Sequence, residues 1–207
     1  MKNLVLLLAL ISVVSCKKGK ADFTLKGTVN DITFNQPLSG ATIQLYQVPI
    51  GSTNEFLINS STIGSDGSYS FTFPRDKMEK YILRISKNNY FEIVETVYFK
   101  DLSIEEENVR NYNTTAKAWV KLTFKNTSNP LATDVFKYIK QDGKQDCEEC
   151  CPSTEQLLFG LVDTSIYCIN DGNETYSYNY FKMYTSISGT MQTQTPPFDT
   201  TEIILNY

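Results

Sequence analysis

Short runs of alternating apolar and polar residues recur along most of this chain, broken by Gly, Pro, Asn and Asp. Leu25, Gly27 and Val29 share one side of a first run, Ala41, Ile43 and Leu45 one side of a second, and Tyr69, Phe71 and Phe73 one side of a third. A period of two sends successive side chains to opposite faces, so each run predicts an antiparallel strand with one buried face. The pattern resumes at 116–125, where Ala118, Val120, Leu122 and Phe124 oppose Trp119, Lys121, Thr123 and Lys125. Further strands are predicted at 134–140, 157–162, 165–169, 174–184 and 200–207. Ser65-Asp66-Gly67-Ser68 predicts a tight turn, and Asp142-Gly143 and Asp171-Gly172 predict hairpins. Nothing in the pattern predicts a helix beyond a turn or two. Residues 101–115 are the most polar stretch after the N-terminal segment, and Glu105, Glu106 and Glu107 lack the spacing of a calcium loop. They read as a solvated linker or a strand-edge segment, and the boundary between two β-sandwich modules, 23–112 and 113–207, is placed here. The predicted class is all-β.

The first residues stand outside this pattern. An apolar run at 4–14 follows Lys2 and is closed by Ser15 and Cys16. It is shorter than the roughly 20 residues a membrane-spanning helix needs, and its flanks read as a secretory signal over 1–15. Val13-Val14-Ser15-Cys16 resembles a bacterial lipobox. That resemblance implies cleavage before Cys16 and acylation of its thiol, making residues 16–22 a tether to the outer membrane. Each buried acyl methylene contributes about 0.8 kcal/mol, so several chains on Cys16 would anchor the protein stably. Lys17, Lys18 and Lys20 suit either anionic headgroups or a solvated spacer, and they leave the periplasmic face and the cell surface equally open.

Composition removes many functions. The formal charge of −4 gives no electrostatic reason to expect nucleic acid. The chain has no histidine, which excludes Ser-His-Asp and Cys-His catalysis and His-ligated zinc. No dinucleotide-binding glycine motif, phosphate loop or HExxH motif is present, so no catalytic residue, metal or cofactor is assigned.

Three separated pieces carry a family resemblance: Lys26-Gly27-Thr28-Val29 with Asp31, then Gln36-Pro37-Leu38-Ser39-Gly40-Ala41-Thr42-Ile43, then Asp66-Gly67-Ser68-Tyr69-Ser70-Phe71. In this order they resemble the carboxypeptidase regulatory-like domain, which is similar to transthyretin-like and collagen-adhesin B-type sandwiches. The resemblance implies a seven-stranded, prealbumin-like Greek key for the first module and a non-catalytic spacer or binding support. Some such relatives carry a Lys–Asn isopeptide bond; here Lys26, with Asn108 or Asn111, would be the pair, but Lys26 reads more simply as an outward strand residue. The second module, of about 90 residues, fits an immunoglobulin-like sandwich.

With Cys16 given to lipid, Cys147, Cys150, Cys151 and Cys168 remain, an even number in an oxidising compartment. That favours disulfides over zinc or redox chemistry. A Cys150–Cys151 bond would join Cα atoms about 3.8 Å apart, below the usual disulfide range of about 4.4–6.8 Å, so it would be strained. The remaining pairings are 147–150 with 151–168, or 147–151 with 150–168, and the first is preferred. The candidate ligand-binding residues are Trp119, on the polar face of its strand, and Tyr176, Tyr178 and Tyr180, which share one strand face. Strand alternation equally predicts that the tyrosine face packs inward. The reading is a non-enzymatic, lipid-anchored envelope protein that binds or scaffolds, with a glycan, a peptide or another envelope protein as partner. The alternative is an accessory subunit of an outer-membrane nutrient-uptake or adhesion complex. A hydrolase needs two acids in one cleft, and no acidic pair stands out at a strand end.

Overall fold

The structure, a computed structural model, describes residues 22–207. The signal segment 1–15, Cys16 and the lysines at 17, 18 and 20 lie outside the described residues. What is described is all-β, in two sandwiches.

The first sandwich is built on β1 (Asp22–Asp31). β5 (Ser68–Pro74) and then β2 (Gln36–Pro37) pair antiparallel along one edge of β1. β8 (Asn108–Val109) and β9 (Tyr112–Thr114) run parallel along the other. The facing sheet has the order β4 (Phe56–Thr62), β3 (Thr42–Pro49), β6 (Met78–Ser86), β7 (Ile93–Tyr98). The residues that alternation placed inward are inward: Leu25, Val29, Ala41, Ile43, Leu45, Phe71 and Phe73 are all buried. They close around Phe23 and Tyr81, which pack edge to face.

The polar stretch before the second module is a strand-edge segment, since β8 and β9 lie within it. Its chain crosses β1 closely at Gly27, where an added Cβ would stand 1.7 Å from the Arg110 carbonyl oxygen. Residues 113 and 114, which the sequence reading gave to the second module, complete β9 beside β1. Lys26 points outward and pairs with Glu107, while Asn108 is buried and bonds to backbone at Thr24 and Ser103.

The second sandwich packs β13 (Asp163–Asp171), β10 (Lys117–Lys125) and β16 (Thr200–Asn206) against β12 (Gln156–Phe159), β11 (Val135–Asp142), β14 (Glu174–Lys182) and β15 (Ser188–Thr195). β16 runs parallel to β10, so the last strand of the chain lies beside the first strand of its module. Ala118, Val120, Leu122 and Phe124 are fully buried, as their shared face requires. Phe124 meets Phe136, Tyr138 and Tyr178 at 4.9–5.6 Å between ring centres, and Phe136 stacks on Tyr207 at 4.1 Å.

Two local expectations are corrected, and one strand was missed. Asp171-Gly172 does not close a hairpin: β13 and β14 belong to different sheets, so this turn carries the chain across the sandwich. Asn173 takes the positive φ there, and Gly172 lies where a Cβ would stand 2.9 Å from Pro197. Asp142-Gly143 opens a long connection holding the cysteines instead of a tight turn, although β11 and β12 do pair. β15 was not anticipated, because SGTMQTQT has almost no apolar residues to alternate. As an edge strand it needs only one neighbour, β14, to satisfy its inner backbone groups.

Candidate functional site

The four cysteines form two bonds, Cys147–Cys150 and Cys151–Cys168. This is the preferred pairing, and the second bond ties the loop after β11 to β13. Beneath it the Lys140 side chain is buried, and its Nζ donates to the carbonyls of Lys144 (2.5 Å), Cys150 (3.0 Å) and Cys151 (2.7 Å). Burial pushes this ammonium below the usual lysine range, opposed by the charge of Asp146. The cluster is a staple with a cation at its centre.

The aromatic candidates are not brought together. Tyr176 and Tyr178 are buried in the core of the second sandwich, where desolvation raises both phenols above their ordinary range. Tyr180 is half-buried against Phe136. Trp119 is half-buried on the outward face of the opposite sheet. The tyrosine platform is therefore corrected: alternation along β14 turned its rings toward the core.

The concave surface lies instead where the modules meet. Only Thr115 and Ala116 separate β9 from β10. The Ala116 amide donates to Thr33 Oγ1 (2.9 Å), the Lys117 amide to the Asn89 carbonyl (2.8 Å), and Asn173 Nδ2 to the Thr33 carbonyl (3.2 Å). Phe198, from the turn before β16, stacks on Phe34 at 5.8 Å and tilts against Tyr90 at 5.5 Å. Tyr90 in turn donates its hydroxyl to Asp31, a buried carboxylate at the end of β1 (2.8 Å).

Beside this seam opens a cleft of about 640 Å³. The β1–β2 turn contributes Ile32 and Thr33, the joint Thr115, the end of β11 Asp142, the loop after it Lys144, the β13–β14 turn with its flanking strand ends Asn170 to Thr175, and β15 Gln192. Asp171 Oδ1 accepts from Lys144 Nζ (2.9 Å) and from the Thr115 hydroxyl. Asn170, fully buried, accepts from the Lys144 amide (2.6 Å) and donates to Thr195 Oγ1 (3.0 Å). The Lys144 ammonium also sits 4.3 Å from the centre of the Phe91 ring. Past Lys144 the cleft continues into a second hollow of about 350 Å³ that shares Ile32, Thr115 and Lys144. Sequence reasoning used Asp142 and Asp171 only as turn residues and passed over Ile32, Lys144, Glu174 and Gln192; its expectation that no acidic pair meets at strand ends is corrected, since Asp142, Asp171 and Glu174 line one cleft. Their one local signal was that both Asp-Gly turns end strands of the same module.

No protein-family model matches the chain, and no curated protein matches it in sequence. Among solved structures, a streptococcal ancillary pilin is similar over 91% of this chain and 63% of its own, at 12% identity and a TM-score of 0.37. The minor pilin of Streptococcus agalactiae is similar over 89% of this chain and 94% of its own, at 11% identity and a TM-score of 0.34. The TIE protein of Bacillus anthracis is similar over 90% of this chain and 34% of its own, at 13% identity and a TM-score of 0.34. The chain spans less than two thirds of the first and third of these proteins. Similarity at this level carries nothing about function.

Proposed function

We propose that the chain is a non-enzymatic, lipid-anchored envelope protein whose two sandwiches act together as a rigid binding and scaffolding unit. The observation that carries this reading is the joint: two residues link the modules, and hydrogen bonds and the Phe34–Phe198 stack cross it. A flexible tether would be expected if the modules worked independently. The lipobox-like segment ending in Cys16 supplies the anchor in this reading. β1 runs from Asp22 toward the joint, so an anchor at Cys16 puts the joint about 30 Å beyond the tether.

Expression of the full chain with labelled palmitate tests the anchor. Label should enter the wild-type protein and be absent from Cys16→Ala, which should also leave the membrane fraction. A Cys16→Ala protein that still carries label would overturn the assignment.

One observation favours the accessory-subunit reading. Leu131, Phe159, Leu161 and Tyr184 are all exposed, and all four lie at the end of the second sandwich opposite the joint. Such an apolar pole suits a protein partner. Cross-linking in cells from a cysteine at Tyr184 should capture an envelope protein, and a product limited to the monomer would count against this reading.

A further inference from the structure

We propose that the cleft at the joint binds a neutral oligosaccharide. The inference rests on the binding-module reading but not on the anchor.

Shape comes first. The main cleft and the hollow past Lys144 adjoin along the seam and share Ile32, Thr115 and Lys144, an outline suited to a short chain of rings more than to one compact molecule. Polar groups come second. Lys144 and Asp171 hold each other in place, yet each keeps bonding capacity: the carboxylate its second oxygen, the ammonium a further N–H. Asp142 spends one oxygen on the Ser177 hydroxyl (2.8 Å) and keeps the other. Glu174 and Gln192 have no side-chain partner among the described residues and stand on neighbouring strands, β14 and β15. The cleft therefore offers both acceptors (Asp142, Asp171, Glu174) and donors (Lys144, Gln192), and a sugar hydroxyl, which both donates and accepts, can use either.

The floor supplies the third element. Ile32 is 52% exposed and lies in both hollows. A pyranose presents an apolar C–H face with hydroxyls around its rim, and Ile32 offers one apolar side chain among the polar groups of the cleft. Charge narrows the class. Three carboxylates (Asp142, Asp171, Glu174) line the main cleft against one ammonium, already paired, so phosphate, sulfate and uronate groups would be repelled. Among the described residues no group of three His, Cys, Asp or Glu side chains is placed to hold a metal ion. The two carboxylates not paired with Lys144 would also attract a cationic peptide, which the salt dependence of binding separates from a neutral sugar.

The full chain, held in a detergent without a sugar headgroup, is tested on an array of neutral hexose oligosaccharides of about four to six units, followed by calorimetric titration of those that bind. Binding is expected to change less than about twofold between about 0.05 and 0.5 M NaCl, because no net ion pairing is involved. Glu174→Ala with Gln192→Ala should weaken it about tenfold, with the unfolding temperature unchanged. Ile32→Ser should weaken it as well. Three results would overturn the proposal: no binding on the array, binding indifferent to these variants, or salt-sensitive binding of a Lys/Arg peptide in place of the sugars. Loss of sugar binding in a protein that still incorporates palmitate removes the cleft alone; failure to incorporate palmitate removes the anchor alone.

Discussion

A lysine ammonium under a loop has to be neutralised where it stands, and Lys182 shows how this sandwich does it. The side chain is only 4% exposed, and its Nζ donates to Asp134 (3.0 Å), Asn126 Oδ1 (3.1 Å) and the Ser128 carbonyl (3.1 Å). Asn126 Nδ2 then donates to Asp134 (2.8 Å) and to the Gly160 carbonyl (3.1 Å). The hydrogen bond from Asn126, the Leu131 amide and Lys182 together hold the Asp134 carboxyl well below the ordinary range, at about 2. An acid whose folded pKa is depressed contributes stability at neutral pH, and that contribution is lost as pH falls from the ordinary carboxylate value of about 4 toward 2. The wild type should therefore lose more of its urea midpoint between pH 5 and 2 than Asp134→Asn, whose stability at neutral pH should already be lower. Equal pH slopes in the two proteins would show that the network adds nothing in the folded state. Lys182 has the same parity along its strand as Tyr176, Tyr178 and Tyr180, and Lys140 shares parity with Phe136 and Tyr138. Alternation thus pointed both lysines inward, at opposite ends of the sandwich. Their partners were invisible, because Asp134 and the carbonyls around Lys140 come from loops.

Strands and loops divide the remaining information unevenly. Runs with an apolar face, such as β1, β5 and β10, were legible because burial of one face demands a period of two. β15 was not, since an exposed polar edge imposes no such period. The cysteine loop shows the same divide: neighbouring positions ruled out one pairing, and the fold chose between the other two by bringing Cys151 beside β13. In the chain-entropy model, closing the 17-residue separation of Cys151–Cys168 contributes about 3 kcal/mol, while the three-residue separation of Cys147–Cys150 contributes about half as much. Urea unfolding of Cys168→Ser should show the larger loss, and a larger loss in Cys147→Ser would contradict this account. At the crossing of β1, Gly27→Ala should lower stability by about 1–3 kcal/mol, because the new methyl must push away Arg110 and the segment joining β8 to β9. A variant as stable as wild type in thermal unfolding would mean that β8 and β9 contribute little.

At the scale of the whole molecule the two sandwiches have separate cores, one around Phe23, Leu25 and Tyr81, the other around Phe124, Phe136 and Tyr178. What makes them one unit is the joint, so a flexible insertion should matter more than its size suggests. Four Gly/Ser residues placed between Thr115 and Ala116 should broaden the distance distribution in small-angle scattering while both cores stay folded. They should also abolish oligosaccharide binding, because the groove takes Ile32 from one module and Glu174 from the other. An unchanged scattering profile would show that contacts across the seam hold without the short link.

The sequence alone determined the all-β class, the inward faces of the strands, a Cys16 anchor as an expectation, and the exclusion of histidine chemistry. Each of these is a local property: a period of two, a short apolar run before a cysteine, the absence of a residue type. Only the tertiary structure decided that the Tyr176 face is core, that Lys182 and Asp134 meet, and that residues 32, 115, 144, 171 and 192 line one cleft. Those positions lie far apart along the chain, and what joins them is the order of strands in each sheet and a two-residue link. Alternation says which way a side chain points, and it carries no information about which distant strand or loop lies opposite.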